Sequence, residues 1–167
     1  MKLRRFSQVF LVLFVLVFAA SPCWATAGRV TAQKVNLGPG KVGLTLTWLT
    51  DSGAGTVPNY IIHVSTMATS ETFPFMSEIL GAYLYEADVV PDGTSPPTGA
   101  YTITLTSAVT GCPLDVAGLT SIGTGTDKPI FFPGYAIVDG DITFALSGTP
   151  GNGKKATITL KFVGSKN

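Results

Sequence analysis

The chain has 167 residues, 46% of them hydrophobic and 13% charged, with a formal net charge of +1. That is enough for one domain with a real core, and too apolar and too weakly charged for a disordered chain. There is no basic cluster, so nucleic-acid binding has no electrostatic support.

The first 27 residues, MKLRRFSQVFLVLFVLVFAASPCWATA, have a basic start (Lys2, Arg4, Arg5), an apolar run from Val9 to Ala20, the breaker Ser21-Pro22 and small residues at the end. This is the layout of a secretory signal peptide, with cleavage expected after Ala27 and nearly as well placed after Ala25. The apolar run falls short of the roughly 20 residues that a spanning helix needs. A membrane anchor is therefore not expected once the signal is cleaved. Pro22 immediately before Cys23 does not suit lipoprotein processing. Loss of residues 1–27 leaves eight Lys/Arg against ten Asp/Glu, a net charge of −2. Cys112 is then alone, which fits a small buried thiol or, more sharply, an intermolecular disulfide in an oxidising compartment.

Residues 28–40 read as an N-terminal extension, and 41–167 as a single domain. Within it the dominant period is two. Val42, Leu44, Leu46 and Trp48 alternate with Gly43, Thr45 and Thr47. Half-buried antiparallel strands produce this pattern. Tyr60 to Ser65 is a second, less clean strand. Met67 to Ser77 reads as either a short helix or a loop. Ile79 to Val90 is long enough to bend or bulge, with Gly81 a candidate bulge position.

Tyr101, Ile103 and Leu105 alternate with Thr102, Thr104 and Thr106 in the next strand. Ile130 to Val138 reads as a short strand broken by Pro133-Gly134. Ile142, Phe144 and Leu146 point inward from another, and Ala156, Ile158, Leu160 and Phe162 from the last. Asn152-Gly153 predicts a hairpin joining these two. Further turns are expected at Asp51-Ser52-Gly53, Pro91-Asp92-Gly93 and Asp139-Gly140. The chain has 22 threonines, β-branched yet soluble, and they suit the outer faces of sheets. Seven or eight such strands predict an all-β fold, an antiparallel β-sandwich or a jelly-roll-like variant.

No constellation of catalytic, cofactor-binding or metal-ligating residues stands out, and none is assigned. His63 is the only histidine, and metal sites and acid–base pairs normally give a histidine company. It reads as structural. Asp139 and Asp141 could share a calcium ion, but the ligand-rich loop that makes such a site specific is missing, and an Asp-Gly turn explains them with less. Glu86 and Asp88 read as a solvated strand face. Ser107 and Ser121 lack a nucleophile-elbow context. Trp48, Tyr83, Tyr85 and Tyr101 are either core residues or a carbohydrate platform.

The segment Pro96–Gly118, PPTGAYTITLTSAVTGCPLDVAG, carries a resemblance. Pro97-Thr98, Tyr101, Ile103-Thr104-Leu105, Gly111, Asp115-Val116 and Gly118 resemble the central motif of small phage virion-associated proteins. Gly81 to Gly93 resembles the strand and turn preceding that motif, and Val138 to Phe162 its closing hairpin. The leader-like segment and the longer Cys112-Pro113 turn depart from that family. The resemblance implies a β-sandwich with a structural or accessory role and no catalytic site. The expectation is thus an exported, non-enzymatic protein acting by assembly or surface attachment. Its expected partners are other proteins or copies of itself. The alternative is a secreted module that binds carbohydrate or a cell surface.

Overall fold

The alternation of Val42 to Trp48 becomes a buried stripe. In the computed structural model, which describes residues 26–64, 77–107, 119–123 and 128–164, these four side chains are almost fully shielded from solvent. The strands are β1 (Arg29–Gly38), β2 (Lys41–Leu49), β3 (Tyr60–Ile62), β4 (Tyr83–Pro91), β5 (Tyr101–Ser107), β6 (Lys128–Ile137), β7 (Ile142–Gly148) and β8 (Lys155–Val163). One sheet has the order β1-β2-β8-β4-β6, the other β3-β7-β5. Every pairing is antiparallel. The protein is an all-β sandwich and not a closed barrel. No helix among the described residues is long and apolar enough to cross a membrane.

The core forms between the two sheets. The larger sheet contributes the β2 stripe, Leu84, Ala87 and Val89 of β4, and Ala156, Ile158, Leu160 and Phe162 of β8. The smaller contributes Ile62, Ile103, Leu105, Ile142 and Phe144. Trp48 and Tyr101 meet edge to face, with ring centroids 5.1 Å apart and planes at 73°. Such a pair adds about 0.5–1.5 kcal/mol beyond its buried area. Neither Trp48 Nε1 nor Tyr101 Oη has a hydrogen-bond partner among the described residues.

Burial pushes the Tyr101 phenol up to about 12, because a phenolate would have to form in an apolar interior. The protonated ring is the form that the fold favours. This contribution to stability is complete below the ordinary phenol value near 10 and is lost as pH rises from there towards about 12. Tyr101→Phe is expected to be neutral or stabilising at neutral pH, since the hydroxyl removed is buried and unpartnered. It should also reduce the alkaline sensitivity. Thermal unfolding of both proteins, followed across the alkaline range, checks this; a large loss of stability in the variant at neutral pH would contradict it.

Several expectations need correction. Residues 28–40, read as an extension, contain β1, which pairs with β2 from Arg29↔Leu49 to Asn36↔Val42 before a register shift at Gly38. The strand expected from Ile79 begins only at Tyr83, after a 3-10 turn at Ser77–Ile79. Gly81 lies in the turn between them with φ +79° and is not the bulge. The bulge is at Tyr85, where the partners of β4 step from Leu84↔Phe162 to Glu86↔Lys161. Two residues on β4 then oppose one on β8, and the inward set changes phase from Leu84 to Ala87 and Val89.

β6 is assigned as one strand, but its pairing with β4 is interrupted around Pro133-Gly134, as expected, with no partners for residues 132–135. It lies at the sheet edge, where proline is tolerated. Its pairing with β4 steps from Leu84↔Ala136 to Glu86↔Phe131, which takes up the irregularity.

The hairpin expected at Asn152-Gly153 is not one. β7 and β8 belong to different sheets, so residues 149–154 cross from one layer to the other. Backbone bonds hold this crossing: the Thr98 amide donates to Pro150 O at 2.9 Å and the Thr50 amide to Lys154 O at 2.8 Å. Gly151 takes φ +95°, and a Cβ there would come within 2.5 Å of Thr98 Oγ1. The crossing is tight enough to demand glycine.

The turns at Asp51 and Asp92 are as expected. Asp51 Oδ1 accepts from the amides of Gly53 and Ala54, and Asp92 Oδ1 from those of Thr94 and Ser95. These amide bonds hold both carboxyls below their ordinary range. Residues 1–25 of the segment expected as a signal peptide, Met67 to Met76, and Ala108 to Gly118 with Cys112 and Asp115 lie outside the described residues.

Candidate functional site

The outward faces of the larger sheet carry the polar chemistry. Thr45 and Thr47 of β2 stand opposite Thr159 and Thr157 of β8. Their hydroxyls meet at 3.0 Å and 3.2 Å. Thr31 of β1 extends one of these rows, with Oγ1 donating to Thr47 O at 3.4 Å. Cross-strand threonine pairs stabilise a sheet by a few tenths of a kcal/mol to about 1 kcal/mol each.

Beyond the threonines lies a charged group. Lys161 Nζ sits 2.6 Å from Asp88 Oδ2 and 2.9 Å from Glu86 Oε1. Glu86 and Asp88, expected as a solvated face, are therefore bound to one lysine on the neighbouring strand. The Asp88 carboxylate, followed by that of Glu86, holds the Lys161 ammonium above its ordinary value. The arrangement locks β4 to β8 and keeps the amine charged, so it offers no free nucleophile.

The bulge has a second effect. It places Tyr85 and Glu86 side by side, where strict alternation would have sent one of them inward. Tyr85, Lys41 and Val163 line an open groove of about 230 Å³, and Lys41 Nζ lies 5.9 Å from the centre of the Tyr85 ring. Tyr83 and Ile137 are paired neighbours beside it and are 37% and 50% exposed. Phe131, opposite Glu86, is 69% exposed. Of the four rings expected as core or platform, Trp48 and Tyr101 are therefore core, while Tyr83 and Tyr85 face outward.

His63 has company after all. Its Nδ1 lies 3.0 Å from Asp141 Oδ2, and Asp141 Oδ1 accepts from the Val64 amide at 2.8 Å. The carboxylate ties the end of β3 to the start of β7, which is a structural task. No group of three or more His, Cys, Asp or Glu suited to a metal ion occurs among the described residues.

The sheet edges differ sharply. β5 is covered on its outer side by Leu119 O and by reciprocal bonds with Ile122. β3 has three residues, and β6 carries Pro129 and Pro133. β1 has ten residues and no proline, and its far side pairs with no strand among the described residues. No family model, no curated protein and no solved structure matches the chain.

Proposed function

We propose that this is an exported, non-enzymatic structural or accessory protein acting by assembly or surface attachment, in the manner of the small virion-associated proteins that it resembles. The observation that carries this reading is the outer edge of β1, which pairs with no strand among the described residues. A row of unpaired main-chain donors and acceptors on a regular strand is a template for another chain. The polar side chains support it too, since Lys161, Glu86, Asp88, His63 and Asp141 are all engaged in holding strands together. The start of the described chain is also tied down: the Thr26 amide donates to Ser52 Oγ, and the Ser52 amide donates to Thr26 O. Signal cleavage after Ala25 would keep this contact, whereas cleavage after Ala27 would remove it.

The expected result is a mass above that of one chain by light scattering, or a protein partner that co-purifies. A strictly monomeric protein without a partner would overturn the reading. If such a monomer were retained on a polysaccharide matrix, the function would move to the second reading, a secreted carbohydrate- or cell-surface-binding module. The observation favouring that second reading is the outward Tyr83–Tyr85 pair beside Lys41.

A further inference from the structure

We infer that the partner at the open edge is a second copy of this chain, with β1 pairing antiparallel to β1 about a two-fold axis through Gln33. The inference rests on the assembly reading above and names its interface. Among the described residues, three of the four sheet edges are short, covered or interrupted by proline, which leaves β1 as the long regular one. Its inward residues are Val30, Ala32, Lys34 and Asn36, opposite the buried Trp48, Leu46, Leu44 and Val42; Arg29, Thr31, Gln33 and Val35 point outward.

An inward-pointing lysine in the middle of an edge strand normally guards it against pairing. Here that guard is neutralised, because Lys34 forms an ion pair with Glu78 of the 3-10 turn. The cation therefore need not be left uncompensated when the edge is covered.

The side chains then choose the register. A strand pairs with its own copy so that each residue number and its partner's add to a constant, and an even constant is needed to keep the two faces in phase. Only a centre at residue 33 or 34 lets nine residues of Arg29–Gly38 pair, and any other centre pairs fewer. Centring on Lys34 would set two ammonium groups face to face, which is unfavourable. Centring on Gln33 sets Gln33 opposite its copy, Thr31 opposite Val35, Ala32 opposite Lys34 and Arg29 opposite Leu37. No like charges then meet. Two sheets of five strands would become one continuous sheet.

Gln33 is exposed, so changing its charge leaves the single domain intact. The test mixes variants. Gln33→Lys alone and Gln33→Glu alone each place two like charges in direct opposition and should halve the mass seen by light scattering. Mixing the two in equal amounts should restore the dimer. In a background with Cys23 and Cys112 replaced by serine, Gln33→Cys should form a disulfide-linked dimer on mild oxidation, whereas Thr31→Cys should not, since residue 31 does not face its copy. A monomeric parent protein would overturn both this inference and the assembly reading. A parent oligomer that keeps its mass in both charge variants and fails to cross-link through residue 33 would overturn this interface alone.

Discussion

Trp48→Ala is expected to destabilise the protein by about 3–5 kcal/mol, the range for removing a large buried aromatic side chain. Trp48 is fully buried and touches the opposite layer through Tyr101 at 5.1 Å between ring centroids. Its loss removes apolar transfer energy and leaves a void that neighbours on β8 cannot close. Ala156, directly opposite on β8, is already small. Domains of this size are stable by only about 5–15 kcal/mol, so the variant should lose a large share of its margin. Chemical denaturation measures the effect as a fall in midpoint at unchanged slope. A change below about 1 kcal/mol would mean that the two layers do not depend on this contact.

Thr50→Val is expected to cost about 1–3 kcal/mol, although the two side chains have nearly the same shape. Thr50 is the one polar residue among the fully buried described positions. Its Oγ1 donates to Gly151 O at 2.7 Å and accepts from the Lys154 amide at 2.7 Å. Valine would leave a carbonyl and an amide unpaired at the point where the chain passes from one sheet to the other. The measurement is again the denaturation midpoint, with Thr50→Ser as control, since serine keeps the hydroxyl and should retain most of the stability. If valine and serine behave alike, the two hydrogen bonds do not carry the joint.

The strands most legible in the sequence are those without interruption. β2, β5 and β8 alternate strictly, so their inward residues follow from the spacing of apolar positions alone. β4 is harder to read because one extra residue, Tyr85, changes its phase partway along. β1 is hidden for a different reason: its inward positions pass from Val30 and Ala32 to Lys34 and Asn36, which breaks the apolar stripe. The strand is held by its pairing with β2, and its lysine is met by Glu78, far along the chain. The Asn152-Gly153 signal correctly marks a turn, but local turn chemistry says nothing about which sheet receives the next strand. The chemistry of side-chain pairs is least legible. His63 meets Asp141, and Lys161 meets Glu86 and Asp88, through pairings that bring distant segments together, and spacing along the chain carries no trace of them.

The position of β8 has a consequence for how this chain reaches its native state. The last strand in chain order is the central one of the larger sheet, flanked by β2 and β4. While the chain is being made, β1 and β2 can form a ribbon, but they cannot join β4 until residues 155–163 exist. Such long-range closure is slow, and the apolar faces remain open in the meantime. The sequence thus delays closure of the larger sheet until residues 155–163 have been made. A polypeptide exported in extended form, as proposed above, would benefit from that delay.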